Sequence, residues 1–476
     1  MRAAVRAACL GLLVVVGCDV PSVVTDPPLD PSLDADLRQA LDRYGVLPIG
    51  PVPAGDPALV ALGQALMFDP ILSGNRDIAC ATCHHPRTHG GDGRSLPIGT
   101  GGSGLGPSRA LGAGRELVPR NAPSLLNQGL RSFYLLWDGR VSGHGAGPFE
   151  APPGVTFPAG VPNVLAAQAM IPVLDRREMR GEPGDVDVLG QPNELAVFAD
   201  SQRSEIWQGI MGRLLAVPEY RARFGAAFPD VAAGALHFRH AAAALAAFIT
   251  EGFTRASSPF DRYLAGDDGA LDPAAKRGGV LFFGARPPAT GQAGDAPFSA
   301  TALPCSGCHG GPLLGGQSFS NVGAPQIGPG VGAASPLDLG RGGIGGSFPE
   351  FQDFYRFAFR APPLRNVELT APYMHSGAYA TLEAVVRHYD DPAEALRTYD
   401  GSHLETAVRD RVHDDPATID DVLLRLDPRL RQPLRLSDEE VEDLVAFLRS
   451  LTDPAARDLG DLVPASVPSG LPLDGE

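Results

Sequence analysis

Two stretches of this 476-residue chain share one pattern of apolar and polar positions. "DPALVALGQALMF" begins at Asp56 and "DPAAKRGGVLFFG" at Asp272. In each, an aspartate suited to cap a helix precedes a proline suited to its first turn, and an apolar run follows. Gly63 and Gly279 fall at the same offset from their aspartates. Near the C-terminus, Ser437 and Glu440 have the spacing of a capping box, with Leu436 and Val441 placed as a hydrophobic staple. Val441, Leu444, Val445, Leu448 and Leu451 then form one apolar stripe, the mark of core packing. Helical patterns also run through 219–230 and 237–254, while 257–269 leads into a second unit. Strand-like alternation is scarce. The expected fold is mainly α, built as two related units.

The ends read differently. Residues 1–18 place Arg2 and Arg6 before an apolar run from Ala7 to Val16, the form of a secretion signal. The run closes on Val15-Val16-Gly17-Cys18, which resembles a bacterial lipobox and predicts a lipid anchor on Cys18, with ordinary signal cleavage and a soluble product as the alternative. Residues 19–35 read as a Pro-rich extended tether and 456–476 as an extended tail. No apolar run reaches the roughly 18 to 20 residues of a membrane span.

With 58 Gly and 46 Pro, the loops are expected to be long. A net charge of −16 argues against nucleic acid as a partner and is compatible with a small basic redox protein. Six cysteines are present, two of them in the leader. The other four form Cys80-Ala-Thr-Cys83-His84 and Cys305-Ser-Gly-Cys308-His309, each the attachment pattern of a haem c. Two thiols add to the haem vinyl groups and the histidine takes one face of the iron. A CxxC alone suits zinc or redox chemistry; two copies each followed by His favour haem. The attachment sites lie 24 and 33 residues after Asp56 and Asp272. Haem c is attached outside the cytoplasm in bacteria, which agrees with the leader and predicts a periplasmic location.

Several further motifs come in order: "PRNAPSL" (119–125), "WDGR" (137–140), Gln168 to "EM" (178–179), and "PPLRNVELTAPYMHSG" (362–377). With the two CxxCH sites, they resemble the bacterial dihaem cytochrome c peroxidases and their relative MauG, over roughly residues 40 to 455. The resemblance implies two cytochrome c-like haem domains: 36–255 with the peroxidatic haem and 256–455 with the electron-transfer haem. It implies hydrogen peroxide as substrate and a small electron donor such as cytochrome c or a cupredoxin. In the MauG branch it implies peroxide-driven oxidation of a partner protein instead.

The resemblance also assigns roles. Splitting a peroxide O–O bond needs an open iron face and a group that moves a proton between the oxygens. Glu178 matches the acid/base position, Gln168 the amide that orients peroxide, and Pro172 the pocket proline of the MauG branch. Trp137 matches the tryptophan between the haems. Asn121, Thr370 and Pro372 match an interdomain calcium site built from hard oxygen donors.

Both sixth-ligand positions depart from the gated peroxidases. Their second haem takes a Met; the corresponding residue here is Tyr389, as in MauG-like proteins, with His388 and Met374 as competitors. A phenolate stabilises oxidised iron. Their first haem takes a His sixteen residues after the haem His; here that residue is Thr100. His85 and His89 lie too near His84 to reach the opposite face easily. His144, in the Gly/Pro-rich insertion 141–163, could fold over it. The expectation is that no side chain fills that face and that the insertion forms a lip above it. The leading expectation is peroxide reduction. MauG-like oxidation comes second, and a non-catalytic carrier third, disfavoured by Gln168 and Glu178.

Overall fold

The structure, a computed structural model, describes residues 31–473 apart from 53, 132, 285–304, 317 and 345–351. The signal segment, Cys18 and most of the tether lie outside the described residues. The chain is mainly helical. Among the described residues, the strands are two short antiparallel pairs, Tyr134–Leu135 with Val141–Ser142 and Phe319–Ser320 with Phe359–Arg360. The Arg360 amide bonds to the Trp137 carbonyl at 2.8 Å, which ties the two pairs together. Among the described residues, no helix is long and apolar enough to cross a membrane.

The marked helices form where the caps put them. Asp56 caps the helix Pro57–Phe68 by accepting from the amides of Ala58 and Leu59. Asp272 caps Pro273–Phe282 by accepting from Ala275. Ser437 and Glu440 close a reciprocal box on Asp438–Ser450. The helix Phe238–Phe253 buries most of one wide face, from Ala241 to Phe253.

Among the described residues, two large hydrophobic cores result, with a small third cluster of Phe357, Leu396, Ile419 and Val422. In the first, Pro57–Phe68 crosses Phe238–Phe253; in the second, Pro273–Phe282 crosses Asp438–Ser450. Each crossing depends on a glycine. A Cβ on Gly63 would sit 1.9 Å from the Ala244 carbonyl oxygen and 2.8 Å from Phe248 Cβ. A Cβ on Gly278 would sit 1.9 Å from the Asp443 carbonyl oxygen and 2.9 Å from Phe447 Cβ. The structural counterpart of Gly63 is therefore Gly278, one residue before the expected Gly279. Gly279 instead faces Leu37 and Phe447.

The ends of the chain cross between the cores. The expected tether is corrected at its C-terminal end: Pro31–Arg43 is a helix, and its Leu37, Ala40 and Leu41 are buried in the second core. Their helical spacing gives the segment an apolar face, and packing outweighs the extended preference of the prolines before it. The tail returns to the first core, where Ala456, Leu459, Val467 and Leu473 are buried. Ser469 fastens it by donating to the Asp69 carboxylate at 2.6 Å.

Candidate active site

Cys80–Cys83 is one short helical turn, with the Ala79 amide donating to Thr82 Oγ1 at 2.9 Å. His84 follows, and its amide closes the turn on the Cys80 carbonyl at 3.0 Å. The His84 Nδ1–H donates to the Gly90 carbonyl at 2.9 Å, so Nε2 is the nitrogen left for a metal. Cys80, Cys83 and His84 line a cavity of about 730 Å³. The second motif repeats this logic. Cys305, Cys308 and His309 line a narrower cavity of about 240 Å³, and His309 Nδ1 faces the carbonyls of Pro362 (3.1 Å) and Leu314 (3.3 Å). Among the described residues, none of the four cysteines is joined in a disulfide. Paired thiols beside a histidine of fixed tautomer, opening on a cavity, fit a covalently attached haem at both places.

The first cavity gathers the expected reaction residues. Gln168, Pro172 and Glu178 all line it. Gln168 comes from the helix Val164–Ala169, which Asn163 caps. Glu178 sits on a single π-helical turn, Arg176–Arg180, whose first amides are held by the Asp175 carboxylate. Such turns redirect a side chain that a regular helix would aim elsewhere. Burial pushes the Glu178 carboxyl up to about 8, and Asp175 adds to the rise, while Arg140 and Arg177 oppose it. Arg140, the last residue of the WDGR motif, also lines this cavity.

The segment that would carry a distal histidine has another task. Thr100 is buried; its hydroxyl donates to Asp77 at 2.7 Å and accepts from Asn75 at 2.9 Å. Its amide donates to the Glu178 carbonyl at 2.9 Å, so this loop braces the Glu178 turn. A Cβ on Gly99 would land 1.9 Å from the Arg177 carbonyl oxygen, which keeps that brace close. Thr100 does not line the cavity. His144 is exposed against the Phe133 ring, 4.3 Å between centroids, and lies outside the cavity wall. His84 is the one histidine among the lining residues. The insertion does contribute a lip: Pro152, Pro153 and Val155 line both this cavity and an outer one of about 820 Å³.

The second cavity gathers Tyr389, Asn121, Thr370 and Pro372. Burial pushes the Tyr389 phenol above its ordinary range, and the nearby Cys308 and Cys305 thiols add to this. His388 is engaged at both nitrogens, with the Tyr379 hydroxyl at 2.9 Å and the Val322 carbonyl at 2.8 Å, and does not line the cavity. Met374 does line it, in a turn with φ +71°. Asn121 spends its Nδ2–H on the Arg94 carbonyl at 2.8 Å. Trp137, Asn121 and Pro123 line both cavities.

Sequence reasoning missed the clamp that holds this boundary. Arg120 is buried and donates to both oxygens of Asp338, at 2.6 and 2.8 Å, and to Asp138. Burial raises the pKa of Asp338, but the Arg120 guanidinium outweighs it and holds that carboxyl at about 2. Arg120 and Asp138 lie inside the quoted motifs, but Asp338 stands alone in a Gly-rich stretch with no local signal.

A mainly helical chain with two CxxCH turns, each opening on its own cavity, defines a c-type dihaem protein. Residues 57–269 match the family described as di-haem cytochrome c peroxidase. The methylamine utilization protein MauG of Methylorubrum extorquens is 30% identical over 408 residues, covering 85% of this chain and 82% of that protein. The cytochrome c551 peroxidase of Pseudomonas aeruginosa is 28% identical over 405 residues, with coverages of 85% and 82%. Among solved structures, a MauG-like protein associated with microbial copper homeostasis aligns with a TM-score of 0.55 at 25% identity, covering 89% of this chain and 97% of that one. The chain belongs to the di-haem cytochrome c peroxidase family. It is an oxidoreductase acting on peroxide, of a family that carries two c-type haems.

Proposed function

We propose that the chain reduces hydrogen peroxide to water in the first cavity, with electrons that pass from the second haem by way of Trp137. The observation that carries this reading is the cavity at His84, where Gln168, Pro172 and Glu178 converge and no second histidine takes part. Cys80, Cys83 and His84 would hold haem c there, and its iron would supply the site for peroxide and the two electrons that, with two protons, convert it to two waters.

The chain's own residues do the rest. Gln168 orients the peroxide through its amide. Glu178 takes the proton from the inner oxygen and returns it to the outer one. Its raised pKa suits a group that must both accept and release a proton near neutrality. Arg140 and Arg177 keep the carboxylate form accessible. Trp137 borders both cavities and gives electrons a short path.

Tyr389 is proposed as the oxygen ligand of the second haem, where the iron's charge would draw off its proton against the effect of burial. Asn121, Thr370 and Pro372 are proposed to hold calcium at the same boundary. A small donor such as cytochrome c or a cupredoxin would supply electrons, on the periplasmic side, with Cys18 as the lipid anchor. The domains follow as 36–255 around the peroxidatic haem and 256–455 around the electron-transfer haem, with helix 31–43 and the tail exchanged between their cores.

Tyr389 also favours a second reading, peroxide-dependent oxidation of a partner protein as in the MauG branch. Steady-state turnover separates them. Rapid peroxide consumption with reduced cytochrome c supports the first. Consumption that needs a protein partner and leaves that partner oxidised supports the second.

A further inference from the structure

The two cavities differ in charge. The first is lined by arginines and acids together, such as Arg120 with Asp138 and Asp338. The second is lined by Arg131, Arg360 and Arg365, with no Asp or Glu among its described lining residues. Arg365 has its counter-charge behind the wall, in Asp261 at 2.9 Å. Among the described residues, Arg131 and Arg360 bond only to neutral oxygens. Arg131 donates to the Gln128 side chain at 3.1 Å. Arg360, 3% exposed, donates to the carbonyls of Leu136 at 3.0 Å and Ala361 at 3.3 Å. Burial alone pulls the Arg131 guanidinium down to about 9. A guanidinium taken out of water without an anion is costly, so such a wall is built for an anionic occupant.

The occupant's chemistry matches in number. A haem carries two carboxylates, on the edge away from its vinyl groups, and planar guanidinium forks suit carboxylates. We propose that Arg131 and Arg360 are the counter-ions of the two propionates of the second haem. Arg131 comes from the first half of the chain, so the second haem's site is completed by a loop that also carries Asn121 and Trp137. Two cations at its edge favour the reduced haem and offset the lowering effect of a phenolate ligand. They also keep the propionates ionised, so the potential changes little with pH. The proposal rests on the reading of Cys305, Cys308 and His309 as a haem site.

Redox titration of the holoprotein tests it, followed optically for each haem from about pH 5 to about pH 9. Arg131→Gln and Arg360→Gln should each shift the second haem's potential downward and introduce a pH dependence as a propionate titrates. The first haem should not move. Arg131→Lys should restore most of the potential, which a purely structural role would not explain. An unchanged second-haem potential in Arg131→Gln, or a shift confined to the first haem, overturns the proposal. Should Arg131→Gln fail to take up haem, Arg360→Gln carries the test, and wild-type behaviour there overturns it too. One haem per wild-type chain would instead sink the haem reading itself.

Discussion

The indole of Trp137 donates its Nε1–H to the backbone carbonyl of Asn121 at 2.8 Å, and both residues line both cavities. One hydrogen bond thus fixes the ring at the boundary between the two CxxCH sites. Trp137→Phe should leave both haems attached and cost roughly 1 kcal/mol of stability through the lost bond. It should also slow reoxidation of the second haem after peroxide is mixed with the reduced protein, measured by stopped flow. Equal rates in wild type and variant would remove Trp137 from the path.

Glu178→Gln should slow the reaction with peroxide by about 10²-fold or more, as expected for loss of a positioned acid/base group, with both haems retained. The pH profile gives the sign. The carboxyl is raised to about 8, and the form that accepts a proton is the carboxylate. The rate should therefore climb with pH through that region and level above it, and the variant's profile should be flat there. Because Arg140 draws the Glu178 pKa down, Arg140→Gln should move the rise to higher pH.

Tyr389→Phe should change the absorption and EPR signals of the second haem. His388→Ala should leave them in place, since both its nitrogens are already bonded to protein. Met374→Leu is the control for the other candidate in the cavity wall. Wild-type spectra in Tyr389→Phe together with altered spectra in Met374→Leu would transfer the ligand to Met374.

The face opposite His84 should be free of protein ligands. The oxidised protein should then show one high-spin and one low-spin haem and react with peroxide without prior reduction. His144→Ala should change neither result, because His144 stands outside the cavity. Two low-spin haems that become one only when His144 is removed would make this a gated enzyme.

Gly278→Ala should destabilise the second core by more than about 1 kcal/mol through overpacking, and Gly63→Ala the first core by a similar amount. Gly279→Ala meets only the side chains of Leu37 and Phe447 and should cost less. Denaturant midpoints compare the three. The reverse order would return the repeat to the Gly63–Gly279 register.

What the chain announced by itself was local. A CxxCH turn needs only five consecutive residues, and caps such as Asp56, Asp272 and Ser437 act within one turn, so attachment sites and helix starts were legible without tertiary context. Glu178, Gln168 and Trp137 were legible only through their order among the motifs, since a lone carboxylate or indole says nothing of what faces it. Tertiary packing decided the rest. It chose Gly278 over Gly279, because only contact with the neighbouring helix tells two adjacent glycines apart. It drew residues 31–35 into a helix and the tail onto the first core, because burial against distant elements outweighs local extended preference. It alone set Asp338 on Arg120 and left Arg131 facing a cavity whose described wall carries no acid. Charge balance in a folded interior is a sum over neighbours that lie far apart along the chain.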